Sequence, residues 1–327
     1  MIYFFNDQFV AVTPTDKIYT STDALTWTTS TTANTLAISG IEFSNGIYIA
    51  RTPSGNFRST NLLQWTVISP SFESINSLNN GFIGGRAGSF HKSTDGLTWT
   101  PITGNAFSEF SGLVKTICRD LLCIATSYKG ALAVSTDGGN TWTNGNTSKP
   151  LNLNSIAFGK DRLVAVGDNI MTSRDGISWT ETSTQTNLKK VVFGNGTFLA
   201  FGSLNVILSS KDGENWTKNT LGSYSISDIN FHEEGGYFFG ASGYDVFTSQ
   251  DGLNWTVRPA IANKIIYSLV FDPSRKVFMA LASGGYLSDD LMTWRADVLP
   301  AGYYFDRYTA NPGSIMADGP YISSNHT

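Results

Sequence analysis

The chain has 327 residues, a net charge of −4 and a pI near 5.4, which excludes the clustered basic face of a nucleic-acid binder. Only 15% of residues are charged and 13% are aromatic, a balance that suits pleated sheets and argues against long helices. No apolar run reaches the roughly 18 residues of a membrane span, so no membrane insertion is expected.

The chain opens MIYFFNDQFV, with no basic n-region and no small-residue cleavage site, so no signal peptide is expected. This opening reads as two short strands around a turn, and a first polar phrase, STDALTW, follows and ends at Trp27. The phrase then recurs as STNLLQW, STDGLTW, STDGGNTW, SRDGISW, SKDGENW, SQDGLNW and SDDLMTW. These end at Trp65, Trp99, Trp142, Trp179, Trp216, Trp255 and Trp294, at intervals of 34 to 43 residues. The acid place is held by Asp23, Asn61, Asp95, Asp137, Asp175, Asp212, Asp251 and Asp290. Thr follows the Trp in every copy except the last, where Arg295 stands.

The segments between phrases share a layout. From Ser155 the chain reads SIAF, a turn at Gly159 to Asp161, RLVAV, a short turn, IMTS, the phrase, and a strand beginning at Trp179. Short apolar runs broken by Gly, Asn and Asp turns are the signal of repeated antiparallel strands. Four such strands per ~40 residues form the blade of a β-propeller, whose two faces are buried only by neighbouring blades. The expectation is one all-β domain over 1–327. Eight complete units and a three-strand ninth, whose phrase starts at Ser323 with Asn325 in the acid place, give nine blades with the last lacking its outer strand. Eight blades is the alternative. Cys118 and Cys123 flank a four-residue turn, where a hairpin can set them opposite each other; free buried thiols are the expected state.

The full string STDGGNTW resembles the Asp-box, or BNR repeat, of sialidases, sortilin-type receptors, xyloglucan hydrolases and the photosystem II assembly propeller. The other copies are one residue shorter than that pattern. The resemblance implies the propeller fold and leaves function open, since one fold hosts many activities. Physically, the Asp and Ser can accept N–H bonds of a tight turn, and Gly96, Gly138, Gly176, Gly213 and Gly252 permit positive φ there. The Trp supplies buried area. A carboxylate repeated on every blade serves the blade, so the phrase reads as scaffold.

Function is therefore expected at the opposite end, among the blade-to-blade connections and the loops between second and third strands. Arg51 and Arg86 end GIYIAR and GFIGGR and read as equivalent positions of adjacent blades, against Val12, Thr126, Val166, Phe201, Ala241 and Leu281 elsewhere. Paired arginines can grip a carboxylate, sulfate or phosphate; two solvated surface charges are the competing reading. Lys115, Lys190, Asp228 and Arg307 begin inner strands. Tyr128, Tyr224, Tyr244, Tyr303 and Tyr304 are candidate sugar-stacking aromatics on the same end.

The enzyme reading lacks its parts. The sialidase motif of an aromatic residue, Arg, an aliphatic residue and Pro is absent; the nearest string is NFRST at Arg58. His91, His232 and His326 are spread over separate units and suggest neither a metal cluster nor a triad. No cofactor and no metal are expected. The expected function is a non-catalytic binding or structural module: a propeller for a glycan or a cell-surface receptor in a phage tail or virion appendage, among other virion proteins. A protein-interaction or assembly propeller is the alternative and an Asp-box glycosidase the third reading. The location expected is the virion, otherwise the cytoplasm.

Overall fold

The computed structural model describes residues 2–297 apart from 6–7, 13–16, 24–25, 32–37, 87–88, 104–105, 108–109, 111–112, 128–130, 146–151, 184–186, 203–205, 220–225, 227, 259–260, 262–263, 267, 273–275 and 283. The described residues form an eight-bladed β-propeller of four-stranded antiparallel sheets, each built from consecutive strands, with no helix. Eight is the alternative count from the sequence; the expected ninth unit lies outside the described residues. The blades span 2–31, 40–67, 74–101, 113–144, 153–183, 188–219, 228–258 and 268–297, numbered 1 to 8 below.

Blade 5 shows why these residues make these strands. Its strands are Leu153–Phe158, Leu163–Gly167, Ile170–Ser173 and Thr180–Ser183, close to the runs read from the sequence. The second strand, LVAVG, is buried throughout, because neighbouring blades cover both faces and an apolar run is required on each. The fourth strands are short and exposed, as at Thr66–Val67 and Thr143–Asn144, which blunts the outer edge. First strands of consecutive blades approach one another and so surround the axis.

Polar side chains tie these inner strands together. Glu42 accepts hydrogen bonds from the Ser77 N–H (3.0 Å) and hydroxyl (3.1 Å) across the seam between blades 2 and 3. Asn154 donates to the Leu188 carbonyl at 2.8 Å, and Asn230 to the Leu269 carbonyl at 3.2 Å. Lys190 reaches Asp228 at 3.0 Å and Asn230 at 2.8 Å.

The repeated phrase closes the outer part of each blade. In blade 3, Asp95 accepts from the Leu97 N–H at 2.8 Å, the Thr98 N–H at 2.7 Å and the Ser93 hydroxyl at 3.0 Å. Ser93 in turn accepts the Gly96 N–H at 2.8 Å. Asn61 takes the Asp role in blade 2, accepting from the Leu63 and Gln64 N–H groups at 3.0 Å each. The turn needs a left-handed residue after the acid. Gly96 supplies it at φ 71°, but Leu62 and Leu291 adopt 62° and 60° and bury their side chains in adjoining seams.

From blade 2 onward, each turn aims its tryptophan at the blade before it. Trp65 packs with blade 1, Trp99 with blade 2, Trp142 with blade 3, Trp179 with blade 4, Trp216 with blade 5, Trp255 with blade 6 and Trp294 with blade 7. Six of these seven indoles donate to the carbonyl three residues earlier, at 2.6 to 3.3 Å.

The cysteine expectation is corrected: Cys118 and Cys123 form a disulfide. They are direct partners across the hairpin of Leu113–Arg119 and Leu122–Ser127, so both side chains stand opposite each other on one face.

Hydrogen bonding makes the turn sensitive to acid. Burial pushes the Asp95 carboxyl up, but its N–H and hydroxyl donors outweigh burial and hold it at about 2, below its ordinary 3.8. The same balance holds Asp137 at about 2. Stability from these groups is present above the unfolded value and is lost as pH falls from near 4 toward 2. Ser93→Ala leaves the buried Gly96 N–H without its acceptor and is expected to cost about 1–3 kcal/mol in urea unfolding. The exposed neighbour Thr94→Ala is expected to change it little.

Candidate functional site

Strand pairing revises the relation between Arg51 and Arg86. The phrase serine marks equal height in every blade: Ser59 pairs with Tyr48 in blade 2, and Ser93 pairs with Phe82 in blade 3. Arg51 lies three residues beyond Tyr48, while Arg86 lies four beyond Phe82. The equivalent of Arg51 is therefore Gly85, and that of Arg86 is Thr52. The cause is the first turn. In blade 2 it is Asn45–Gly46, but in blade 3 it is Asn79–Asn80, so Gly81 already belongs to the strand, opposite Leu78.

A one-residue shift in a strand turns a side chain to the other face. Here it turns the two arginines toward each other's blade. Ile47 and Ile49 pack against Ile75 and Phe82 of blade 3, and Arg51 continues that row. On blade 3, a Cβ at Gly84 would meet Phe72 and Trp99, so this face looks at blade 2. Arg86, two residues on, continues it. The arginines thus stand on the two walls of one seam.

The rest of the seam is described. The Arg51 guanidinium passes over Gly40, where any Cβ would collide with it. Its Nη2 lies 4.0 Å from Glu42, whose other oxygen is held by Ser77. The Arg51 Nε is buried and has no hydrogen-bond partner among the described residues. Opposite Arg51, Asn56 is buried and accepts the Phe72 N–H at 2.6 Å, which pins the linker between the blades. Arg86 is exposed and pairs across its hairpin with Ser89. His91, opposite Gly84, meets Phe72 edge-on at 5.5 Å, and Phe72 lies 4.3 Å from Trp99. The His91 Nδ1 is also buried without a partner; burial first, then the Arg86 charge, lowers its pKa. His91 was missed in the sequence because its place beside the phrase marks it as scaffold. The small residue across from it, Gly84, was the available signal.

The other candidates are dispersed. The Lys190 ammonium is committed to Asp228 and Asn230 of the next blade. Tyr244 is 52% exposed in the turn between Tyr237–Ser242 and Asp245–Ser249, several blades from Arg51. Lys115 lies in Leu113–Arg119 opposite Thr126; its side chain, with Tyr128, Tyr224, Tyr303, Tyr304, Arg307 and His326, is outside the described residues. Among the described residues no three His, Cys, Asp or Glu side chains gather in a metal-sized group.

Solved structures share this architecture at low identity. The chain is similar to the computationally designed protein Ika8, at TM-score 0.63 and 12% identity, over 86% of this chain and 92% of that one. It is similar to BamB from Moraxella catarrhalis, at 0.62 and 10%, over 86% and 90%. It is also similar to YCF48 bound to a D1 peptide, at 0.51 and 15%, over 86% and 88%. No family model and no curated protein matches the sequence. The fold is what these likenesses share with the chain.

A second histidine sits in the seam between blades 7 and 8. The His232 ring lies 3.9 Å from Phe271, 5.0 Å from Tyr237 and 5.4 Å from Phe278, with its Nδ1 buried and unpartnered. Burial lowers its pKa from 6.5, opposed by Glu234, which is itself 3.3 Å from Lys276. Because the folded pKa is depressed, the neutral ring contributes stability that is complete above pH 6.5 and lost as pH falls below it. His232→Phe is expected to flatten the fall in melting temperature between pH 6.5 and about 5, measured against wild type.

Proposed function

We propose that the chain is a non-catalytic binding propeller that holds a protein partner at the end of the ring carrying the inter-blade and second-to-third-strand loops. The single observation behind this reading is the contrast between the two ends. At the phrase end, the Asp95, Asp175 and Asp251 carboxylates are each engaged by N–H groups of their own turns. At the loop end, Arg51 breaks a row of uncharged residues and has a buried Nε with no partner among the described residues. A guanidinium so placed is suited to a ligand oxygen. The similar propeller YCF48 has been solved with a peptide, which supports a protein partner for this chain.

A glycan of a cell surface, recognised by a virion appendage, is the second reading. The exposed Tyr244 favours it, since an aromatic face flanked by hydroxyls and amides stacks on sugars. The Cys118–Cys123 bond agrees with an oxidising exterior such as a virion surface.

Parallel peptide and glycan arrays separate the two. Peptides are expected to be retained, and the Arg51→Ala/Arg86→Ala double variant to weaken them about tenfold or more at unchanged melting temperature. Retention of glycans alone, lost in Tyr244→Ala, would establish the second reading instead. Turnover of any fluorogenic glycoside would overturn both.

A further inference from the structure

We infer that the seam between blades 2 and 3 is a carboxylate site, in which Arg51 and Arg86 close from opposite walls on an acidic side chain of a peptide. This rests on the loop-end reading for its partner, but the site stands on its own geometry.

Three observations converge on one place. Arg51 is half-buried, crosses a glycine that alone leaves it room, and has a buried Nε with no acceptor. Its own carboxylate neighbour, Glu42, sits 4.0 Å from Nη2 and spends its other oxygen on Ser77. Arg86 rises from the facing wall, solvent-accessible and close enough for its charge to act on His91. His91 presents a second buried, unpartnered nitrogen on that same wall.

The chemistry selects among anions. A guanidinium offers its two Nη–H groups as a parallel fork that matches the two oxygens of a planar carboxylate. The imidazole adds a hydrogen-bonding group without a further charge. Two cations against one monoanion suit a half-buried site, whereas a phosphate dianion carries a greater desolvation cost into it. Phe72 and Trp99, tilted against each other at 4.3 Å, give an apolar wall for the methylenes of Glu or Asp. The repeat provides no such arrangement elsewhere by default. It requires an Arg at the Arg51 position and another one residue further along the next blade, as Arg86 is.

The test is a titration of the intact chain, followed at the Arg51 Nε–H resonance in ¹⁵N-arginine NMR. The probes are acetyl-Ala-Glu-Ala-amide, its Gln counterpart, glucuronate and sodium chloride. The Glu peptide is expected to shift the resonance saturably at millimolar concentration, with the Gln peptide and chloride inert at matched ionic strength. Arg86→Ala is expected to weaken that binding about fivefold or more while the remaining spectrum stays folded. Equal response to chloride, or a response indifferent to Arg86→Ala, overturns the site. Binding of glucuronate about tenfold tighter than the peptide overturns the peptide assignment and makes the ligand a uronic acid. A saturable Glu response together with empty peptide arrays would sink the loop-end partner and leave the carboxylate site intact, so the two failures are distinguishable.

Discussion

The ring depends on one hydrogen-bonded turn repeated around it. In blade 5, the Ser173 hydroxyl donates to Asp175 and accepts the Gly176 N–H, while Asp175 holds the Ile177 and Ser178 N–H groups. These bonds fix the direction of Trp179, whose indole donates to the Gly176 carbonyl and whose ring enters the apolar seam with blade 4. A blade alone would leave that ring and both faces of its second strand in water. The turn therefore couples local structure to assembly: a polar network at the surface sets the angle at which an apolar wedge meets the preceding blade.

This coupling explains why so much of the fold could be read from the sequence. The turn requires a hydroxyl, an acceptor two residues on, and a residue tolerant of positive φ, so its chemistry is visible as a phrase. Strands of blade 5 fall where the turns confine them. Leu62 and Leu291 show where the code loosens: each accepts a left-handed backbone in exchange for a side chain sealed in a seam. The cysteine pair was harder to read, since hairpin register decides whether two thiols are opposed, and register depends on which residues the turn takes.

The site was legible only in part, for the same reason. Arg51 and Arg86 stand out by type, but counting residues from Asn-Gly and Asn-Asn-Gly aligns them wrongly. Gly46 belongs to a turn at φ 73°, whereas Gly81 is a strand residue at φ 121°. A glycine is a poor anchor for alignment because it satisfies either demand. The phrase serine is a good anchor because its hydroxyl must sit where the acid and the glycine N–H meet.

The same register argument decides what the two arginines can do together. Were they truly equivalent, both would project toward the following blade, Arg51 into the seam of blades 2 and 3 and Arg86 into that of blades 3 and 4. A sheet would separate them, and each would meet a ligand alone. Arg86 instead stands one position further along its strand and so faces blade 2, as do Gly84 and its cross-strand partner His91. Gly84 and Gly85 leave room on both faces: a Cβ at Gly84 would strike Phe72 and Trp99, and one at Gly85 would strike Phe90 and Ser74. Two adjacent glycines in a central strand weaken it. Their presence where the repeat otherwise places Ala50 and Arg51 shows that blade 3 gives up strand strength to admit rings on both of its faces. The seam that results has aromatic side chains and an arginine on each wall, because the two arginines differ by one position in strands of the same register.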